Sequence, residues 1–308
     1  MNPFDPWNTV AAFPLVPFRR GKLDLEGYAK NLRYLASHSW LDGGRKRVIA
    51  FGGSSLIHHI DADDQIALME LASEIAGDRS LLLSGIVPNP LGVAARLVER
   101  QARFARPPDA YLILPVNGVA NPEGVYRTLK QFCQDMGTRF GASFLLYLRN
   151  SNQREALGRL VRDCRPVLGV KVGTTPEDVS FLVDLIQDEG IVVWGVGDRA
   201  TAGFERGARG HTSGIAQLFP KASDWINNAS RAGDFESCRR VEADIARFEE
   251  VRFMMDRAFN YSALVAAAQL AGFEDVAGGD GGPFNELPPP EVTAILAEEV
   301  KKLKPYHY

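Results

Sequence analysis

The chain has 308 residues, of which 45% are hydrophobic and 24% charged, with a net charge of −3. That length suits one large domain or one barrel with an appendage, in an ordinary globular composition. The weak acidic balance and the lack of a long basic run give no reason to expect nucleic acid as a partner.

No apolar run reaches spanning length, so no membrane partner is expected. The opening MNPFDPWNTVAAF lacks the basic start and apolar core of a signal peptide. Cys133, Cys164 and Cys238 are odd in number and lack metal-ligand spacing, which fits reduced, buried thiols in a cytoplasmic protein.

In chain order, the run 11–18 (AAFPLVPF) reads as a first strand, and RRGK at 19–22 as a solvated loop cluster. DLEGYAKNLRYLASH then places Leu25, Tyr28, Leu32 and Leu35 on one helical face. A second strand is expected at 47–51 (RVIAF), before a helix DADDQIALMELASEIAG with acidic residues at its start and Gly77 as its stop. Strands follow at 80–87 (SLLLSGIV) and 110–116 (AYLILPV). NPEGVYRTLKQFCQDMG has Asn121 as cap, Pro122 at the first position, Tyr126 in its core or at an interface, and Gly137 at its end. Two more strands are expected at 143–148 (SFLLYL) and 167–172 (VLGVKV). The helix TPEDVSFLVDLIQDEG opens on Thr175, Pro176 and the carboxylate Asp178, and closes on Gly190. IVVWGV (191–196) and the weaker ARGHTSG (208–214) complete eight strands.

Their continuous apolar character suggests strands covered on both faces. Eight strand–helix units match a (β/α)8 barrel, although strand count alone does not exclude an open doubly wound sheet. No Gly-x-Gly-x-x-Gly follows the first strand, which argues against a dinucleotide fold. After residue 232 the pattern is purely helical, with a Gly/Pro-rich connector at 278–290. The expected division is therefore a barrel over 1–232 carrying the active site, and a three-helix extension over 233–308 with a role in assembly.

In a barrel, chemistry sits at the C-terminal strand ends. Those positions here supply hydroxyls, glycines, one tyrosine, one arginine and one lysine, with no metal-binding cluster and no Ser-His-Asp set. Lys171 interrupts the apolar run VLGVKVG. Its stem could pack on apolar surface with the ammonium in solvent. It could instead be a desolvated amine that attacks a carbonyl. Such an amine needs a proton shuttle, and Tyr147 at the end of the preceding strand is the phenol at a corresponding height. A barrel-interior aromatic is the other reading of Tyr147.

The motifs FPLVPF, GGSS, LLYLRN, GVKVGT and GD…GARGHTSGIAQLFP resemble, in order and spacing, the dihydrodipicolinate synthase / N-acetylneuraminate lyase family, from about residue 11 to 288. The resemblance implies a TIM barrel with a C-terminal helical extension, a homotetramer, and an imine mechanism on pyruvate or a longer 2-oxo acid without metal or organic cofactor. It puts Lys171 on the imine-forming lysine and Tyr147 on the proton-moving tyrosine. Gly53, Ser54, Ser55, Asn117, Arg149, Gly195, Thr212 and Ser213 fall on substrate-binding positions. Gly195 and Gly197 could equally serve tight turns.

The departures concern specificity. Leu56 replaces the family's glutamate, Asn117 stands near the place of the synthases' second relay tyrosine, and Asn152 falls where they hold an arginine. YLRNSN is closer to the run in 5-dehydro-4-deoxyglucarate dehydratases, where Arg149 would engage a second carboxylate or hydroxyls. An arginine paired to a loop acid is its alternative. A dehydratase or aldolase on a sugar-acid-derived 2-oxo acid is the leading expectation. A hydratase-aldolase on an aromatic 2-oxo acid stays open, because Leu56, Ile57 and Val116 suggest a less polar mouth. So does an inactive family member that senses a 2-oxo acid. A phosphate-binding barrel enzyme ranks below these. His58 and His59 read as surface residues, and Asp198 as the cap of the next helix.

Overall fold

A computed structural model describes residues 3–308. Ten strands form, in chain order: β1 Val10–Ala12, β2 Phe18–Arg19, β3 Lys22–Leu23, β4 Val48–Phe51, β5 Leu81–Ile86, β6 Ala110–Ile113, β7 Phe144–Leu148, β8 Val167–Val172, β9 Ile191–Trp194 and β10 His211–Ser213. Eight of them, β1 and β4–β10, close a parallel barrel in which β1 pairs with both β10 and β4. β2 and β3 form a separate hairpin, and the RRGK cluster is its turn, with Arg20 and Gly21 at positive φ. The expected first strand is therefore split: only its first residues join the barrel.

Helices α1 Leu25–Ser37, α2 Ala62–Ala76, α3 Leu91–Gln101, α4 Pro122–Phe140, α5 Arg154–Asp163, α6 Pro176–Ile186, α7 Thr201–Phe204 and α8 Pro220–Arg231 alternate with the barrel strands. Their starts follow the side chains that can accept from free N–H groups. Asp24, Asp61 and Asn121 all cap in this way. On α1, Tyr28, Leu32 and Leu35 are buried as expected, whereas Leu25 is exposed.

Two expected stops fall elsewhere. Gly137 lies inside α4, which runs on to Phe140 and ends at Gly141 in the left-handed region. A Cβ on Gly137 would sit 2.6 Å from Pro166 Cγ, so close helix packing rather than termination explains that glycine. α6 ends at Ile186 rather than Gly190, with Gln187 at positive φ. Asp178 is buried under α6's first turn, accepting from Ser151, Thr174 (2.6 Å) and Arg154 (2.9 Å).

Beyond the barrel come α9 Phe235–Arg257, α10 Ser262–Ala271 and α11 Pro290–Leu303. α9 packs along α8 and α11. Among the described residues, no helix is long and apolar enough to cross a membrane. Cys133, Cys164 and Cys238 are free and buried.

Candidate active site

Strand pairing sets the centre of the site. Tyr147 and Lys171 are register partners on β7 and β8, so their side chains leave the sheet at one height. The Lys171 ammonium lies 4.0 Å from the Tyr147 ring centre and 5.0 Å from that of Phe13. Lys171 is only 7% exposed. Burial pulls its amine below the ordinary lysine value; Tyr147 opposes that pull, and the Arg149 charge adds to it. The solvated reading of Lys171 therefore does not describe this side chain.

Glycines clear the space around this pair. A Cβ on Gly195 would meet Val172 O at 2.7 Å and the Lys171 stem at 2.8 Å. One on Gly173 would meet the Tyr147 ring at 2.5 Å and the Arg149 stem at 3.1 Å. Gly195 thus serves close approach to the lysine rather than a turn.

Lys171 and Tyr147 open into a cavity of about 320 Å³, at the small end of pockets that take organic ligands. Gly53, Ser54, Asn117, Arg149, Gly195 and Thr212 all line it. The Ser54 and Thr212 hydroxyls have no hydrogen-bond partner among the described residues. Lys171, Arg149, Arg257 and Arg252, the last of these paired to Glu249 behind it, also line the wall, and no Asp or Glu does. In a chain of net charge −3, such a one-signed wall attracts anionic ligands.

One of the substrate-binding expectations needs correction and another is narrowed. Ser55 is not on the wall: it ends the short turn Gly53–Ser55, and its hydroxyl accepts from Gly52 N–H at 3.2 Å. Ser213 reaches the wall, but its hydroxyl is committed elsewhere. It donates to Asp198 at 2.8 Å, meets Ser223 Oγ at 2.8 Å, and accepts from Ala216 N–H. Asp198 is accordingly not a helix cap. It is fully buried between Ser213 and His211 (3.2 Å), while Glu242 of α9 accepts from the N–H groups of Ala200 and Thr201 at the start of α7.

Other expectations also change. His58 lines the cavity, and burial together with His59 lowers its basicity. Leu56, Ile57 and Val116 are off the wall, so they do not make the mouth apolar. Asn152 is off it as well. Tyr126 is a packing residue whose hydroxyl donates to Asp163 at 2.6 Å.

The C-terminal extension supplies what sequence reading missed. Arg252, Phe253 and Arg257 of α9, with Asn260 just beyond it, complete the cavity wall. Arg252 is buried, ion-paired to Glu249 and donating to Asn260 Oδ1 at 2.6 Å. A Cβ on Gly214 would collide with its guanidinium. Leu114 and Pro115, near the end of an expected strand, and Phe13, which follows β1 directly but lay inside the expected first strand, also line the cavity. For Leu114 and Pro115 the strand-end position was the available signal; RFMMDRAFN at 252–260 offered none, because no Gly or Pro marks a break.

The fold and site define a (β/α)8 barrel enzyme with a buried lysine at a strand end. The model of the dihydrodipicolinate synthetase family matches residues 7–278, and the chain belongs to that family. It is thus a lyase of the class I aldolase type. The chain is similar to the 4-hydroxy-tetrahydrodipicolinate synthase of Thermodesulfovibrio yellowstonii, 21% identical over 246 residues, covering 78% of this chain and 81% of the relative. The enzyme of that name from Thermotoga maritima is 24% identical over 272 residues, covering 84% and 87%. The crystal structure of dihydrodipicolinate synthase from Bacillus clausii superposes with a TM-score of 0.84 at 21% identity, covering 97% of this chain and 98% of that one. The Acinetobacter baumannii enzyme complexed with pyruvate gives 0.81 at 18% identity, covering 96% and 98%. At these identities the structural likeness speaks for the fold.

Proposed function

We propose that this protein is a Schiff-base lyase acting on an acidic, sugar-derived 2-oxo acid by dehydration or aldol cleavage. The observation that carries this reading is the buried Lys171 amine against the Tyr147 ring, in a cavity walled by cations without a carboxylate. Pyruvate bound to the Acinetobacter enzyme supports the 2-oxo acid end of the substrate.

The Lys171 amine adds to the substrate's carbonyl carbon, and water leaves to give an imine. Tyr147 passes protons to and from the departing oxygen. Ser54 and Thr212, whose hydroxyls are free of protein partners, hold the carboxylate beside that carbonyl, with the Gly53 backbone. The protonated imine withdraws electrons from the neighbouring carbon. For dehydration, that carbon loses a proton and the hydroxyl on the carbon beyond it leaves as water. For aldol cleavage, that hydroxyl loses its proton instead, the bond between the two carbons opens to release an aldehyde, and the enamine left on Lys171 takes up a proton. Hydrolysis of the imine returns Lys171. Asn117 and Arg149 face the far part of the substrate from the loops after β6 and β7. A homotetramer in the cytoplasm completes the proposal, and light scattering of the purified chain tests the assembly.

Borohydride reduction in the presence of pyruvate and of longer 2-oxo acids, followed by peptide mass spectrometry, tests the mechanism. A reduced adduct on Lys171 that disappears in Lys171→Ala is the expected result. Binding without trapping would make the chain a 2-oxo acid sensor instead.

A further inference from the structure

α9 does not end as a helix ends. Met254 is extended (φ −57°, ψ 150°), and Met255 and Asp256 then take left-handed backbone (φ 49° and 53°), followed by Arg257 at φ 73°. None of the three left-handed residues is a glycine, and each such placement is unfavourable for a residue with a Cβ. The side chains in the break offer no compensation of their own, since Met254 is 40% and Met255 78% exposed. Strain of this kind persists where the surroundings hold it, and it clusters at working sites.

Here the surroundings are built for the purpose. Arg252, before the break, donates to both the side-chain and backbone oxygens of Asn260, after it, at 2.6 and 3.5 Å. Glu249 holds Arg252 from one turn earlier and accepts from Asp198 N–H at the end of the barrel (3.3 Å). The loop 253–259 is therefore clamped at its base to the barrel top. What it delivers to the cavity is Phe253 and Arg257. The Arg257 guanidinium rests 5.0 Å from the Phe253 ring centre and has no ion pair or hydrogen bond among the described residues. A guanidinium held on a ring, without a counter-charge, in a cavity without acids, is free to take a carboxylate in the two-pronged manner.

We propose that Arg257, set by the clamped left-handed break, is the specificity residue that reads a second carboxylate at the non-reacting end of the 2-oxo acid. This rests on the Schiff-base reading for the reacting end of the substrate. A carboxylate fits better than a phosphate because the donors that usually cradle phosphate are missing or spent. The helix after β10 begins at Pro220, without an N–H at its first position, and Ser213 Oγ already takes the Ala216 N–H.

The test measures borohydride trapping of the full chain against concentration, for pyruvate and for the diacids 2-oxoglutarate and 2-oxoadipate. Wild type should trap a diacid at a lower concentration than pyruvate. Arg257→Met should raise the diacid concentration needed at least about tenfold, consistent with losing a charged hydrogen-bonded pair, and leave pyruvate within twofold. Arg257→Lys should restore part of the preference. An equal loss for pyruvate and diacids in Arg257→Met, or no loss for either, overturns the proposal. So does a wild-type preference for a 2-oxo acid with a distal phosphate over both diacids. Calorimetry with glutarate, which has two carboxylates and no carbonyl, separates this reading from the imine reading. If wild type traps nothing yet binds glutarate through Arg257, the imine fails and the subsite stands. If it neither traps nor binds glutarate, both fail.

Discussion

The two sides of the cavity are made in opposite ways. On the β7–β8 side, Tyr147 and Lys171 are held by ladder pairing, and glycines at 173 and 195 remove whatever would crowd them. On the α9 side, regular structure is abandoned: the helix breaks at Met254, and a buried ion pair with one asparagine holds the break. On the proposed mechanism, the barrel side places the atoms that meet a carbonyl from a fixed direction, for which a closed sheet is the stiffer support. On the same proposal, the helical side places the groups that meet the variable end of a substrate, and a loop can change there without disturbing the sheet.

Lys171→Ala is the strongest way to break this contrast. It should abolish borohydride trapping outright while leaving thermal unfolding nearly unchanged, because the barrel around it stays packed. Arg252→Ala should do the reverse to the α9 side. It leaves Glu249 buried without its cation, so unfolding in urea should show a loss of about 3–5 kcal/mol. A loss below about 1 kcal/mol would mean that the clamp does not hold the break.

Asp178 anchors the loop after β7 to the start of α6. Burial works against its charge, but Ser151, Thr174 and Arg154 outweigh that and hold it below the ordinary carboxylate value. A carboxylate lowered on folding stabilises fully above the unfolded value, near about 4, and that contribution is lost as the pH falls below it. Asp178→Asn should therefore cost about 2 kcal/mol at neutral pH and flatten the acid limb of stability against pH.

A smaller effect sharpens the electrostatics of the lysine. Arg149 depresses the Lys171 amine and Tyr147 raises it. Trapping against pH should move to higher pH in Arg149→Met and to lower pH in Tyr147→Phe, whatever each does to the maximum rate. Shifts in the same direction would refute that assignment. Met255→Gly should be the mildest change, stabilising by up to about 1 kcal/mol because glycine takes left-handed backbone freely.

How much was legible follows the same division. Strand runs, caps such as Asp61 and Asn121, and a lysine inside an apolar run are local patterns, and they pointed to the barrel and to Lys171 with Tyr147. Ser55 and Asp198 were misread because their partners, Gly52 N–H and the His211 and Ser213 side chains, are set by how the chain turns after the strand ends. Gly137 and Gly190 were taken for helix stops, whereas at Gly137 contact with Pro166, distant in sequence, decides the residue.

The sequence by itself determined the eight-strand alternation, the helical tail and the presence of a lysine at the end of β8, because periodicity and strand-end residue types are properties of neighbours along the chain. Only the tertiary structure decided that Arg252, Phe253, Arg257 and Asn260 belong to the cavity. RFMMDRAFN is a good helical sequence, and its break exists because contacts with Glu249, Asp198 and Gly214 across the barrel top outweigh the local preference to continue.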